Sequence, residues 1–167
     1  MKMRMATSGL LLVFVLSLVA CNKSDPSNVR EAQKTAAVLS GDDKGEAANN
    51  PQCKMFTVAE IANYGGGPVN PGRNAAMGTG CQWTGVKDDG TGTVMLQIVS
   101  ADYHSPPSGA PGFRKLPDVG KQGFVAPETG GWQAGAIQGE RSINVSAGGS
   151  EAKTIDFLRE AMKRANR

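Results

Sequence analysis

The chain predicts an α+β domain: a small antiparallel sheet with a short N-terminal helix and a C-terminal helix packed on one face. Three observations carry that prediction. Residues 93–100 alternate Val94, Leu96 and Ile98 against Met95, Gln97 and Val99, the period of a strand. Residues 150–165 repeat apolar side chains at helical spacing. Thr57-Val58-Ala59-Glu60 has the form of a capping box, in which hydroxyl and carboxylate satisfy each other's backbone donors at a helix start.

The elements follow in order. The first helix runs from Thr57 to Asn63 or Tyr64 and buries Val58, Ile61 and Ala62. Gly65-Gly66-Gly67-Pro68 stops it, because glycine accepts the left-handed cap and proline cannot continue the helix. Residues 69–79 read as loop. Cys81-Gln82-Trp83-Thr84 reads as a strand and pairs with residues 93–100 across the Asp88-Asp89-Gly90 turn. Residues 101–118 hold four of the nine prolines and read as a long surface excursion or a short irregular helix. Phe124-Val125, Trp132–Gln138 and Arg141–Ser146 read as three further strands, with Gly139-Glu140 as the last turn. In the closing helix, Ala152, Ile155, Leu158 and Met162 form the apolar stripe, widened by Phe157 and Ala161. The late cations Lys163, Arg164 and Arg167 complement its dipole.

Upstream of this domain the chain is organised differently. Lys2 and Arg4 precede an apolar run from Leu10, the anatomy of a secretory signal peptide and too short to span a bilayer. The run ends in Leu18-Val19-Ala20-Cys21, which resembles a bacterial lipobox. That resemblance implies removal of residues 1–20, a diacylglycerol thioether on Cys21 and a fatty acyl chain such as palmitate on its new amino group. Two or three acyl chains hold a membrane firmly, at about 0.8 kcal/mol per buried methylene. Asn22 resembles an outer-membrane sorting residue of enteric bacteria, whereas Lys23-Ser24 resembles an inner-membrane retention signal of other genera. The expectation is the outer membrane, with the domain facing the periplasm. Residues 21–51 read as the lipidated N-terminus and a flexible tether, since Ser40–Pro51 has too few apolar residues to build a core. A transient helix over Val29–Leu39 lies within it. Residues 52–167 are the folded domain.

Composition narrows function. The formal charge of +3 on 167 residues, with both basic residues of the leader contributing, gives no electrostatic case for nucleic acid. Of three cysteines, Cys21 is the lipid site, which leaves Cys53 and Cys81 as a pair in an oxidising compartment. A bridge between them closes a loop of about 29 residues, worth roughly 3.5 kcal/mol by chain entropy. The alternatives are free thiols or metal ligands. A single histidine and no Cys-x-x-Cys spacing argue against the metal.

Cys53, Thr57-x-Ala59-Glu60, Gly67-Pro68-Val69 and Cys81-x-Trp83 together resemble the opening of a domain of unknown function common in bacterial, especially actinobacterial, lipoproteins. The resemblance spans roughly residues 52–165 and implies an extracytoplasmic lipoprotein domain without a settled activity. Where that family shows a Gly-Asp-Ala-like element, this chain has Gly120-Lys121-Gln122-Gly123.

No motif supplies chemistry. Asp102, His104 and Ser105 are the residue types of a hydrolase triad but crowd into four positions, with no nucleophile elbow. Asp88-Asp89-Gly90 lacks the spaced oxygens of a calcium loop. The glycine run at 65–67 lacks the Lys-Ser/Thr of a phosphate loop. Trp83 and Trp132 read as core anchors, with exposed binding as the other reading of Trp132. Arg73 and Asn74 sit in the loop inside the expected disulfide ring, where binding residues collect. The expectation is a non-enzymatic binding or accessory module without cofactor or metal. Its partners are the membrane, through the lipid, and a protein or other envelope ligand. The alternatives are an inhibitor or immunity lipoprotein against an extracytoplasmic toxin or lysozyme-like enzyme, and an enzyme using His104 with a distant carboxylate.

Overall fold

The computed structural model describes residues 49–75, 79–87 and 92–167. The expected leader 1–20, Cys21, the tether through residue 48 and the Asp88-Asp89-Gly90 turn lie outside the described residues. The elements are α1 (Pro51–Lys54), α2 (Val58–Gly65), β1 (Arg73–Asn74), β2 (Gly80–Trp83) and β3 (Val94–Ser100). After a 3-10 turn at Ala101–Tyr103 come β4 (Arg114–Lys115), β5 (Lys121–Glu128), β6 (Gly131–Gln138), β7 (Arg141–Ala147) and α3 (Glu151–Ala165). The α+β expectation holds: seven strands form one open antiparallel sheet in the order β1-β2-β3-β7-β6-β5-β4, and α3 packs on it.

Directly paired residues share a face of a sheet. Cys81, Leu96, Val145, Ala134 and Val125 are linked by pairing and therefore line one face. All five are buried, and Phe157, Leu158 and Ala161 of α3 join them in the core. Gln97, Asn144, Gly135, Phe124 and Lys115 are linked in the same way and occupy the back face.

Local signals explain most helix ends. Thr57 accepts from the Glu60 backbone at 3.3 Å while the Glu60 carboxylate accepts from the Thr57 N–H at 2.7 Å, closing the capping box. Gly66, at φ 80°, supplies the left-handed cap of α2. Ser150 caps α3. The disulfide Cys53–Cys81, with Cα atoms 5.1 Å apart, ties α1 to β2. Phe56, Tyr64 and Phe157 form an aromatic cluster between α2 and α3, with ring centroids 4.7–6.2 Å apart. The Arg164 guanidinium lies 4.2 Å over the Phe56 ring and pairs with Glu60 at 2.6 Å and Glu160 at 2.8 Å.

Several expectations are corrected. Asn50 and Pro51, expected in the tether, belong to the folded body: Asn50 caps α1 and donates to Asn74 and to the Gly80 carbonyl. Val58 is exposed, because the box places it on the outer side of the first turn, while Ile61 takes the core position. Ala152 is also exposed. Thr154 is buried instead, its hydroxyl satisfied by the Ser150 carbonyl at 3.1 Å. The 69–79 loop contains strand β1, and β5 runs over Lys121–Glu128, well beyond Phe124-Val125.

Candidate functional site

The strand order dictates the most conspicuous surface feature. β3 lies third in the sheet and β4 at its far edge, so the chain between them must cross β7, β6 and β5, about 19 Å at the usual strand spacing. The helices occupy one face, and the crossover runs over the other. This is the proline-rich stretch 101–113.

Four contacts pin it there. Ser142 pairs with Val99 and Ile137, which places it on the back face, and it is fully buried. His104 Nδ1 lies 2.9 Å from its hydroxyl, and His104 Nε2 lies 3.2 Å from the carbonyl oxygen of Gln122. A carbonyl only accepts, so Nε2 carries a proton; in the neutral ring Nδ1 then accepts from Ser142. Asn144 Nδ2 donates to the same hydroxyl at 3.0 Å, giving a chain of donors from Asn144 through Ser142 and His104 to Gln122. Phe113 stacks on Phe124 at 6.0 Å, and His104 lies 5.7 Å from Phe124 on the other side.

The strand beneath is irregular at the same place. Lys121 pairs with Ile137 but Phe124 with Gly135, so two residues, Gln122 and Gly123, oppose Ala136 alone. This bulge turns both Lys121 and Phe124 toward the back face. Gln122 takes φ 56°, the one non-glycine among the described residues with positive φ, a conformation that costs free energy unless its surroundings impose it. Gly123 must be glycine, since a Cβ there would lie 2.2 Å from the Val119 carbonyl oxygen.

The crossover and bulge enclose a depression of about 420 Å³ lined by Pro106, Phe113, Lys115, Leu116, Pro117 and Gln122, among others. Tyr103, the last residue of the 3-10 turn that opens the crossover, has 76% of its surface exposed. Two shallower depressions flank the helices: an apolar one of about 650 Å³ along Val58, Ala62 and Pro68, and one of about 510 Å³ among Gln52, Met55, Ile98 and Arg164.

The residues singled out from sequence are not brought together. Arg73 and Asn74 are not loop residues but form β1, paired with Gln82 and Cys81. Asn74 is buried and accepts from Asn50 at 2.9 Å, so it holds the start of the domain. Trp132 lies within β6, on the helix face beside Ala147 and Pro127, partly buried against the core. Trp83 is fully buried. His104 meets a hydroxyl and a backbone carbonyl, while Asp102 interacts with Ser100 at 3.2 Å, so the local triad types do not converge. Among the described residues no group of three or more His, Cys, Asp or Glu is placed to hold a metal ion, and no helix is long and apolar enough to cross a membrane. Sequence reasoning missed Tyr103, Phe113, Gln122 and Ser142. The dense prolines and the sole histidine of residues 101–118 were the available signal.

No family profile matches the chain, and no curated protein is significantly similar to it.

Proposed function

We propose that the chain is a lipid-anchored protein of the outer membrane whose periplasmic domain is a non-enzymatic binding module, with the crossover 101–118 as its recognition surface. The observation that carries this reading is Tyr103, 76% exposed on a loop held to the sheet by side-chain bonds. An exposed aromatic on a pre-ordered loop offers contact area at low entropic cost, the property of an interface anchor. Strand addition is a poorer mode here. β1 and β4, two residues each, cover the ends of the sheet, and Pro127 removes a donor from the rest of β5. Leu18-Val19-Ala20-Cys21 supports the address.

A photo-crosslinking residue at position 103, expressed in the native host, tests the binding role. The expected product is one discrete protein adduct in the envelope fraction; no adduct there would remove the reading. Intact mass of the membrane-extracted chain tests the anchor, and a chain that keeps residues 1–20 without acylation contradicts it. The same projecting Tyr103 also fits an inhibitor that inserts a rigid loop into an enzyme cleft. That version requires the adduct to be a secreted hydrolase and the purified chain to block it stoichiometrically.

A further inference from the structure

We infer that the depression between the crossover and the β5 bulge receives an acidic segment of the partner protein, with an apolar side chain seated on Phe113 and its carboxylates held by Lys115 and Lys121. This rests on the binding reading above and names the chemistry of its partner.

Charge accounting around the crossover gives the sign. Arg114 is paired with Glu151 on α3, and Asp118 with Arg159 at 2.8 Å, which Asp156 also approaches at 3.5 Å. Asp102 accepts from the Ser100 hydroxyl at 3.2 Å and is not among the residues lining the depression. At the depression itself, the side chains of Lys115 and Lys121 have no ion-pair or hydrogen-bond partner among the described residues, and both are exposed. Lys115 lines the depression, and Lys121 lies between the lining residues Gly120 and Gln122. Both belong to the back face by register, Lys115 through Phe124 and Lys121 through Ile137. The bulge matters here, because without its extra residue Lys121 would fall on the helix face.

The floor sets the rest of the chemistry. Pro106, Phe113, Leu116 and Pro117 present apolar surface in a space of about 420 Å³, room for one or two side chains and too little for a folded element. A site that is apolar at its base and cationic at its rim favours a ligand with the reverse arrangement. The crossover is already fixed by His104 and Phe113, so little ordering opposes binding.

The test uses the full chain, extracted from membranes and reconstituted in phosphatidylcholine nanodiscs. Two short fluorescent peptides serve as probes, one of leucine, glycine and glutamate, the other identical except for lysine in place of glutamate. Saturable binding of the acidic probe alone, weakened about tenfold by Lys115→Glu with Lys121→Glu and weakened by added salt, is the expected result. Both substitutions are on exposed side chains, so circular dichroism should be unchanged. Phe113→Leu, which keeps an apolar floor, should weaken the acidic probe less than the charge reversal does. Equal binding of the two probes, or indifference to charge reversal, overturns the inference. The position-103 crosslink separates the levels: an adduct that survives charge reversal sinks only this inference, whereas no adduct in the unaltered chain sinks the binding reading itself.

Discussion

One sheet here has two unlike faces. On the helix side Val94, Leu96, Val125, Ile143 and Leu158 are fully buried, and the cover is α3 with the aromatic cluster around Phe157. On the back, Gln97, Ser142 and Asn144 occupy equivalent rows, and the cover is a crossover held by a few polar bonds and two ring contacts with Phe124. Apolar burial stabilises by roughly 25 cal/mol per Å², whereas a net hydrogen bond contributes only about 1 kcal/mol. Stability therefore resides on the first face. Changes in the loop that covers the second face should cost the fold less than changes in the cover of the first.

The contrast breaks most completely if a helix-face substitution proves cheap. Phe157→Ala removes the ring between Phe56 and Tyr64 and should cost about 3–5 kcal/mol in urea unfolding. A loss below about 1 kcal/mol would mean that the core does not depend on this face. Next in size is the disulfide. Cys53→Ser with Cys81→Ser should cost roughly 3.5 kcal/mol, and reductant should lower the unaltered protein to about the same midpoint.

The same contrast explains what was legible from sequence. Elements of the helix face are written locally: Thr57 and Glu60 announce α2, Ser150 announces α3, and the alternation of Val94 and Leu96 announces β3. The cysteine pair followed from the expected oxidising compartment. Features of the back face are non-local. His104 meets Ser142 38 residues away, a contact no spacing rule encodes. β1 and β4 are two residues each and exist only because β2 and β5 offer them partners. β5 extends beyond Phe124-Val125 because β6 pairs with it from Lys121 to Glu128, across a bulge that breaks the alternation a strand would show in sequence. For Arg73 and Asn74 the sequence offers only their position inside the disulfide ring, and position says nothing about which backbone groups a sheet edge will recruit.

Smaller effects sharpen the comparison. Ser142→Ala deletes the hydroxyl between Asn144 and His104 and should cost about 1–2 kcal/mol. Amide exchange should rise within 101–113 more than in α3, showing that the loss is local to the crossover. On the helix side, Arg164 and the Thr57 backbone hold the Glu60 carboxyl at about 2, against an ordinary value of 4.5. A depressed carboxylate stabilises the fold above its unfolded value and loses that contribution as pH falls from about 4.5 toward 2. Glu60→Gln should flatten the acid limb of a midpoint-versus-pH curve over that window, with its deficit fully present near neutrality and vanishing toward pH 2. The side chain is 40% exposed, so the effect is modest.

The smallest expected effect on stability belongs to Tyr103, and it is the most informative. Its ring is 76% exposed, so Tyr103→Ala should move the unfolding free energy by no more than about 0.5 kcal/mol. If the crossover is the recognition surface, the same change removes an aromatic anchor, and such anchors cost 2 kcal/mol or more, a loss of about thirtyfold in affinity for the crosslinked partner. Calorimetry and a pull-down on one variant thus read the two faces separately. Unchanged unfolding with lost capture places recognition on the back face; capture that survives Tyr103→Ala while Phe157→Ala still unfolds the domain leaves the crossover as mere covering.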